Sequence, residues 1–248
     1  MRVLKELYPI IWDEWVIFRR NFIKITISAI ISPLLYMIAF GLGIGGGYSL
    51  SGVTYMKFLI PGIVALTTMN ASYKAISVKL ITNRVYDQTF EQYLIAPISI
   101  FNLCLGKAIA GALRGMYAGM LVLSIAAIFG ISLNITGSFL GLMFLNGLTF
   151  ASLGMLGALI AKSHADMNRF GSYVILPMTF LCGTFFSTEY LPDFIRKIIY
   201  LLPLTHMSTM LRAIATYDTY YLSNILGVLV YFIIFLTMSY RICLKIAT

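Results

Sequence analysis

Six stretches of this chain stay apolar for long enough to cross a bilayer, a helix needing about 20 residues to span a hydrocarbon core of ~30 Å. They run from about Ile23 to Ile44, Phe58 to Leu80, Ile100 to Phe129, Phe139 to Ala161, Phe170 to Phe186 and Ile225 to Ile246. Backbone surrounded by lipid must satisfy its own hydrogen bonds, so such runs fold as helices. The expected fold is all-α: a polytopic membrane protein with residues 23–248 as one six-span domain and no linker inside it. Charged residues make up only 11% of the chain, against about 25% in soluble domains, too few to coat a water-facing surface. Pro33 falls inside the first span, and a glycine-rich turn, 41–47, follows it.

Residues 1–22 read differently. Leu4, Leu7, Tyr8, Ile11, Trp12, Trp15, Phe18 and Phe22 recur at three- and four-residue steps, with Lys5, Glu6, Asp13, Glu14, Arg19 and Arg20 between them. That periodicity predicts an amphipathic helix. Two Trp and a Tyr on its apolar side suit the headgroup zone, so the helix is expected along the membrane surface. The segment is too polar for a cleavable signal peptide. Lys and Arg set the orientation. An even number of spans puts both termini on one side, which carries twelve Lys and Arg against four on the other. The expectation is a multi-pass protein of the cell inner membrane with both termini cytoplasmic.

The nine carboxylates are Glu6, Asp13, Glu14, Asp87, Glu91, Asp166, Glu189, Asp193 and Asp218, none of them mid-span. Ion-driven transporters keep an ionisable group near the midplane, where the coupling ion binds. This chain lacks the carboxylate form of that device. It also lacks the Gly-x-x-x-x-Gly-Lys-Ser/Thr loop that cradles nucleotide phosphates, so it is expected not to be an enzyme and to take its energy from a partner protein. Lys74 and Arg114 fall inside spans. They read either as snorkelling to the headgroups or as facing a polar path, Arg114 being the deeper. Gly111, Gly115 and Gly119, four residues apart, allow close helix approach, within the chain or between subunits. Cys104, Cys182 and Cys243 read as packing residues. No metal site is expected, because His164 and His206 fall on opposite sides. The net charge of +9 does not point to nucleic acid, since the Lys and Arg are scattered in ones and twos rather than gathered in stripes.

Two stretches resemble the type-2 ABC transporter permease family, whose members include drug, lipid and polysaccharide exporters. The first is Tyr55-Met-Lys-Phe-Leu-Ile-Pro-Gly62, followed by Arg84-Val-Tyr-Asp-Gln-Thr-Phe-Glu-Gln-Tyr-Leu-Ile-Ala-Pro-Ile-Ser99. It is similar to the family's apolar-Pro-Gly opening of the second span and the Leu-x-x-x-Pro-apolar-Ser close of the cytoplasmic run. The second is Leu191-Pro192, ten residues, then Pro203-Leu-Thr-His206 and Arg212. One position departs: Asp87-Gln-Thr89 stands where many relatives have Gly-Thr.

The resemblance implies a half-transporter. Two permease chains, identical or not, would pair within membrane lipids, and two ABC ATPase subunits would dock beneath them. ATP and Mg would bind there, with no cofactor in this chain. Residues 84–97 would form the coupling helix. Asp87 or Thr89 can cap it. Phe90, Tyr93 and Leu94 fall on one face, expected to fill an apolar cleft of the ATPase with Arg84 and Glu91 at the rim, and Gln88 and Gln92 share the run. Residues 187–223 would form re-entrant outer helices, with Pro192 opening the first and Pro203, His206 and Arg212 as structural ties. Tyr36, Met37, Met69, Tyr73, Met178 and Phe180 are candidates for a substrate path near the subunit interface, with Arg114 added. Aromatic and Met side chains suit an amphipathic or lipid-linked cargo. The rivals are a secondary transporter or channel that turns on Arg114, an intramembrane enzyme, for which matched catalytic pairs are missing, and a scaffold that binds an ATPase without turnover.

Overall fold

Each apolar run folds as helix, and local chemistry sets where helices begin and bend. The computed structural model describes residues 2–43, 49–50, 53–188, 191–217 and 219–247. α1 (Arg2–Arg20) precedes α2 (Phe22–Tyr36), which widens into a π-helical stretch, Met37–Leu42, four residues after Pro33. Proline has no N–H to give the ladder, and the hydrogen-bond register loosens there. A two-residue antiparallel pair, β1 (Ser49–Leu50) with β2 (Val53–Thr54), leads into α3 (Tyr55–Ile81). A π turn, Thr82–Tyr86, then reaches the short α4 (Phe90–Ile95). α5 (Ile100–Ile128) and α6 (Gly137–Ile160) follow, the Thr136 side chain capping α6 by accepting from Phe139 N. α7 (His164–Phe170) runs through Gly171–Ile175 into α8 (Leu176–Leu181). α9 (Asp193–Ile199) and α10 (Pro203–Tyr217) meet at a bend of 94°, and α11 (Leu222–Ala247) closes the chain.

One connection differs from expectation. The polar link expected at Lys162–Arg169 is instead the opening of α7. Ser163 caps it by accepting from Asp166 N at 3.2 Å, while the Asp166 carboxylate accepts from Lys162 N and pairs with Arg169. The glycine-rich turn falls largely on residues 44–48, outside the described residues, as do Glu189 and Asp218.

Among the described residues, four helical stretches are long and apolar enough to cross a membrane: Phe22–Gly41, α5, α6 and α11. The bent pair α9–α10 makes a fifth if it is one span. The expected second span, α3, has 27 residues, but Lys57, Thr67, Thr68, Asn70, Ser72, Lys74, Ser77 and Lys79 dilute its apolarity. The physical reason is position. α3 lies at the centre of the bundle, packed on α5, α6 and α10, and Thr67, Thr68, Ser72 and Ser77 are buried. Its solvent is protein, so it has no need of a uniformly apolar surface. The expected fifth span, 170–186, stops as helix at Leu181. α2 and α11 lie at the periphery with most of their surface exposed.

The glycines of α5 serve packing within the chain. A Cβ at Gly111 would sit 2.6 Å from Ala151 Cβ, one at Gly115 2.8 Å from the Thr68 carbonyl oxygen, and one at Gly119 2.5 Å from Met143 Cε. Their absent side chains let α3 and α6 close onto α5. At that junction Asn146 Nδ2 donates to the Ala65 carbonyl at 2.8 Å. The three cysteines are buried thiols, with Cys104 Sγ 4.0 Å from Cys243 Sγ.

Candidate functional site

The densest charge chemistry gathers where α4 joins the bundle. In α1, Ile10, Glu14 and Phe18 follow at four-residue steps and therefore share a face. That face is the buried one: Glu14 is 3% exposed, while Tyr8, Trp12 and Trp15 point outward. Lys107 Nζ of α5 lies 2.7 Å from Glu14 Oε1, and Lys79 Nζ of α3 lies 3.1 Å from the same oxygen. Lys79 also donates to Asp13 Oδ2 at 2.5 Å. Tyr93 of α4 donates to that oxygen at 2.8 Å, and Lys107 stands 4.8 Å above the Tyr93 ring. Two carboxylates, two ammonium groups and a phenol thus clamp α1, α3, α4 and α5 together. Two turns earlier on α1, Glu6 accepts from Ser99 N at 3.0 Å and Asn102 Nδ2 at 2.8 Å, fixing the start of α5.

The environment favours the charged form of both carboxylates. Burial alone would raise the Asp13 carboxyl. Hydrogen bonds from Lys79 and Tyr93, with the charges of Lys79 and Lys107, outweigh it and hold the group below its ordinary value. Glu14 behaves alike, with Lys107 and Lys79 overcoming burial. Burial, and then the bond to Asp13, push the Tyr93 phenol up, so it stays the proton donor.

α4 faces the other way from its expected orientation. Phe90 is 3% exposed and belongs to the core, and Tyr93 and Leu94 pack against it. The apolar face expected to fill a partner's cleft is turned into the protein's own bundle, because the clamp anchors it there. Arg84, expected at the rim, donates to the carbonyls of Leu159 and Ala161, satisfying groups that the end of α6 leaves without intrahelical partners. The outward face carries Asp87, Gln88, Glu91 and Gln92, with Ile95 84% exposed at the helix end. Thr89 is the N-cap but makes no side-chain capping bond. Gln88 has φ +55°, a left-handed backbone that glycine adopts freely, at the position where the sequence departs from a Gly-Thr pair.

At the opposite end Arg212 ties three elements. Its Nε donates to the Phe58 carbonyl at 3.0 Å, one terminal nitrogen donates to the Gly183 carbonyl at 2.9 Å, and the guanidinium lies 3.6 Å over the Phe58 ring. Gly62 makes room for this knot: a Cβ there would lie 3.0 Å from the Thr184 carbonyl oxygen. Pro192 precedes the first residue of α9 and Pro203 begins α10. His206 Nδ1 shares a 3.1 Å hydrogen bond with Asn224 Oδ1 of α11.

The substrate-path candidates divide. Met37, Met69, Tyr73 and Met178 are buried and Phe180 is exposed. Tyr36 joins Phe40 and Phe180 around Phe185, with ring centroids 5.2, 4.5 and 6.1 Å from it. Arg114 is not among them. It lines a separate cavity between α1 and α5. Lys74 is exposed on α3.

Sequence reasoning missed Asp13, Glu14, Lys79, Lys107 and Phe185. A signal was present for two of them: Glu14 falls on the same helical stripe as Ile10 and Phe18, and Lys107 lies inside an apolar run that supplies no counter-ion.

A bundle of long apolar helices, with a short amphipathic helix held to it by charge, is the architecture of a multi-pass membrane protein. The chain belongs to the ABC-2 type transporter family, which matches residues 5–216. It is similar to an inner membrane transport permease, YadH, of Escherichia coli K12, 28% identical over 229 residues covering 91% of this chain and 88% of the relative. It also resembles nodulation protein J of Rhizobium meliloti, at 31% identity over 82% of this chain and 81% of that protein. The Neorhizobium galegae nodulation protein J is 32% identical over 85% and 84%.

Proposed function

We propose that this chain is the transmembrane half of an ATP-driven exporter, with α4 as the helix through which a separate ATPase moves it. The observation that carries the reading is the mounting of α4. Its inner face is locked by Phe90 and by the Tyr93–Asp13 bond to α1, α3 and α5, while Asp87, Gln88, Glu91, Gln92 and Ile95 are left facing out. A push on that outer face passes directly to the ends of two long helices and to α1. A membrane strap without a partner has no need of an exposed isoleucine at its end.

On this reading α2, α3, α5, α6, α7–α8 and α11 cross the bilayer. The bent pair α9–α10 dips into the outer side, and both termini lie in the cytoplasm with most of the Lys and Arg. ATP and Mg bind the ATPase, present in two copies. A second permease chain packs on the exposed apolar rows of α2 and α8, such as Ile31, Leu35, Leu176 and Phe180. The aromatic group Tyr36, Phe40, Phe180 and Phe185 beside that face suits an amphipathic or lipid-linked cargo.

Co-purification tests the reading. Cysteine placed at Glu91 is expected to crosslink to an ATPase subunit. Glu91→Arg is expected to abolish the association while the chain still inserts. A Glu91→Arg chain that keeps its ATPase, or a crosslink only to other permease chains, refutes the role of α4.

A further inference from the structure

Between α1 and α5 the bundle holds a cavity of about 420 Å³. Phe18, Phe22 and Tyr117 wall it, the Tyr117 ring lying 5.0 Å from Phe18 and 5.7 Å from Phe22. Trp15, Phe22 and Leu113 also line it, and each is roughly half exposed. The cavity therefore opens on the outer surface of the bundle rather than into its core, and in a membrane protein that surface meets lipid. Two charged residues, Glu14 and Arg114, line it.

These two are not in equal positions. Glu14 Oε1 is taken by Lys107 and Lys79, and its Oε2 is buried and accepts no hydrogen bond among the described residues. Glu14 therefore reaches Arg114 only through charge at longer range, and is already shared by two lysines. Arg114 makes no ion pair or hydrogen bond among the described residues, its Nε is buried and without a partner, and its guanidinium lies 5.9 Å from the Phe18 ring centroid. Lys79, Lys107 and Arg114 against Asp13 and Glu14 leave the clamp and cavity together one positive charge in excess. An unpaired cation in apolar surroundings is unfavourable unless something supplies the counter-charge. Arg114 lies seven residues beyond Lys107 on α5, about 10 Å along the axis, and a side chain of its length can reach back toward the headgroup level. The missing partner is therefore negative at one end, apolar at the other, and enters from the lipid side.

We propose that this cavity binds an anionic phospholipid of the surrounding bilayer, its phosphate on Arg114 and its first acyl carbons against Phe18, Phe22 and Tyr117. The lipid joins α1 to α5 beside the Asp13–Tyr93 bond, so headgroup charge bears on how firmly α4 is held. The site stands on the cavity and its unpaired cation, whether or not an ATPase drives the chain.

Tryptophan quenching tests it. The chain has two tryptophans, so full-length Trp12→Phe protein leaves Trp15 as the reporter at the cavity. It is reconstituted into phosphatidylcholine vesicles containing brominated phosphatidylglycerol or brominated phosphatidylcholine. Half-maximal quenching is expected at about fivefold lower mole fraction of the anionic lipid, the factor that one basic side chain near an anionic headgroup supplies. Arg114→Gln is expected to abolish the preference. Ala110→Phe, which fills the cavity and leaves the charge, is expected to abolish it too, and decides the matter if the Arg114→Gln protein fails to fold. Aqueous glycerol phosphate is expected not to compete. Equal quenching by the two lipids, a preference that survives either substitution, or full competition by glycerol phosphate overturns the proposal.

Discussion

Tyr93 Oη donates to Asp13 Oδ2 at 2.8 Å, joining residues 80 apart in sequence and fixing α4 to α1. The acceptor is charged, so the bond contributes about 1.5–3 kcal/mol. Tyr93→Phe keeps the ring that lies under Lys107 and removes only this bond. Amide exchange across residues 90–95 is expected to accelerate roughly ten- to a hundredfold, with exchange in α6 unchanged. Equal exchange in both proteins would show that α4 is held by Phe90 alone.

Gln88 carries φ +55° in the turn that aims α4. A side chain in the left-handed region costs about 1 kcal/mol more than glycine does there. Gln88→Gly is expected to leave stability unchanged or raise it slightly, while Gln88→Val, β-branched and stiffer, lowers it by about 1–2 kcal/mol. Thermal unfolding in one detergent ranks the three.

Hydropathy made the peripheral and long helices legible, because α2, α5, α6 and α11 owe their character to lipid or to a dry interior. It was weaker for α3, whose Thr67, Thr68, Ser72 and Ser77 are buried against neighbouring helices rather than facing lipid, and for α7, whose polar first turn is a capped helix rather than a link. The motif residues Arg212 and His206 were legible as ties but their partners were not, since backbone carbonyls such as those of Phe58 and Gly183 leave no mark in sequence. The clamp was the least legible part. Asp13 and Glu14 look like a solvated face until Lys79 and Lys107 are brought to them from two other helices.

The glycine row of α5 gives a contrast with α6. At Gly115 a Cβ would meet the Thr68 carbonyl oxygen at 2.8 Å and Ser72 Oγ closer still, whereas at Gly141 nothing lies within 4 Å. Gly115→Ala is expected to destabilise by about 1–3 kcal/mol, since backbone must move to admit the methyl. Gly141→Ala is expected to be neutral or stabilising by about 0.5–1 kcal/mol through helix propensity. If both cost the same, the α3–α5 approach is looser than described.

The clamp also sets a pH limit. Asp13 and Glu14 have folded-state values held below the ordinary 3.8 and 4.5. Groups depressed on folding stabilise above their unfolded values, and that contribution is lost as pH falls through the folded ones. Emission from Trp12 and Trp15 on the same helix is expected to hold steady down to the ordinary Glu14 value of 4.5 and to shift only below the Asp13 value of 3.8. A transition nearer neutrality would place the carboxylates outside the lysine cluster.

Glu14 and Lys107, 3% and 4% exposed, form the most deeply buried ion pair among the described residues. Removing one partner of such a pair leaves a bare charge and costs about 3–5 kcal/mol, whereas replacing both by groups of similar volume is close to neutral. Glu14→Gln and Lys107→Met are each expected to lower stability on that scale. The double substitution is expected to recover most of the loss, because Asp13 and Lys79 at 2.5 Å remain a balanced pair on their own. Unfolding midpoints of the four proteins in one detergent close the cycle. Additive losses would mean that Lys107 is neutralised by something other than Glu14, and the clamp would have to be redrawn around Asp13.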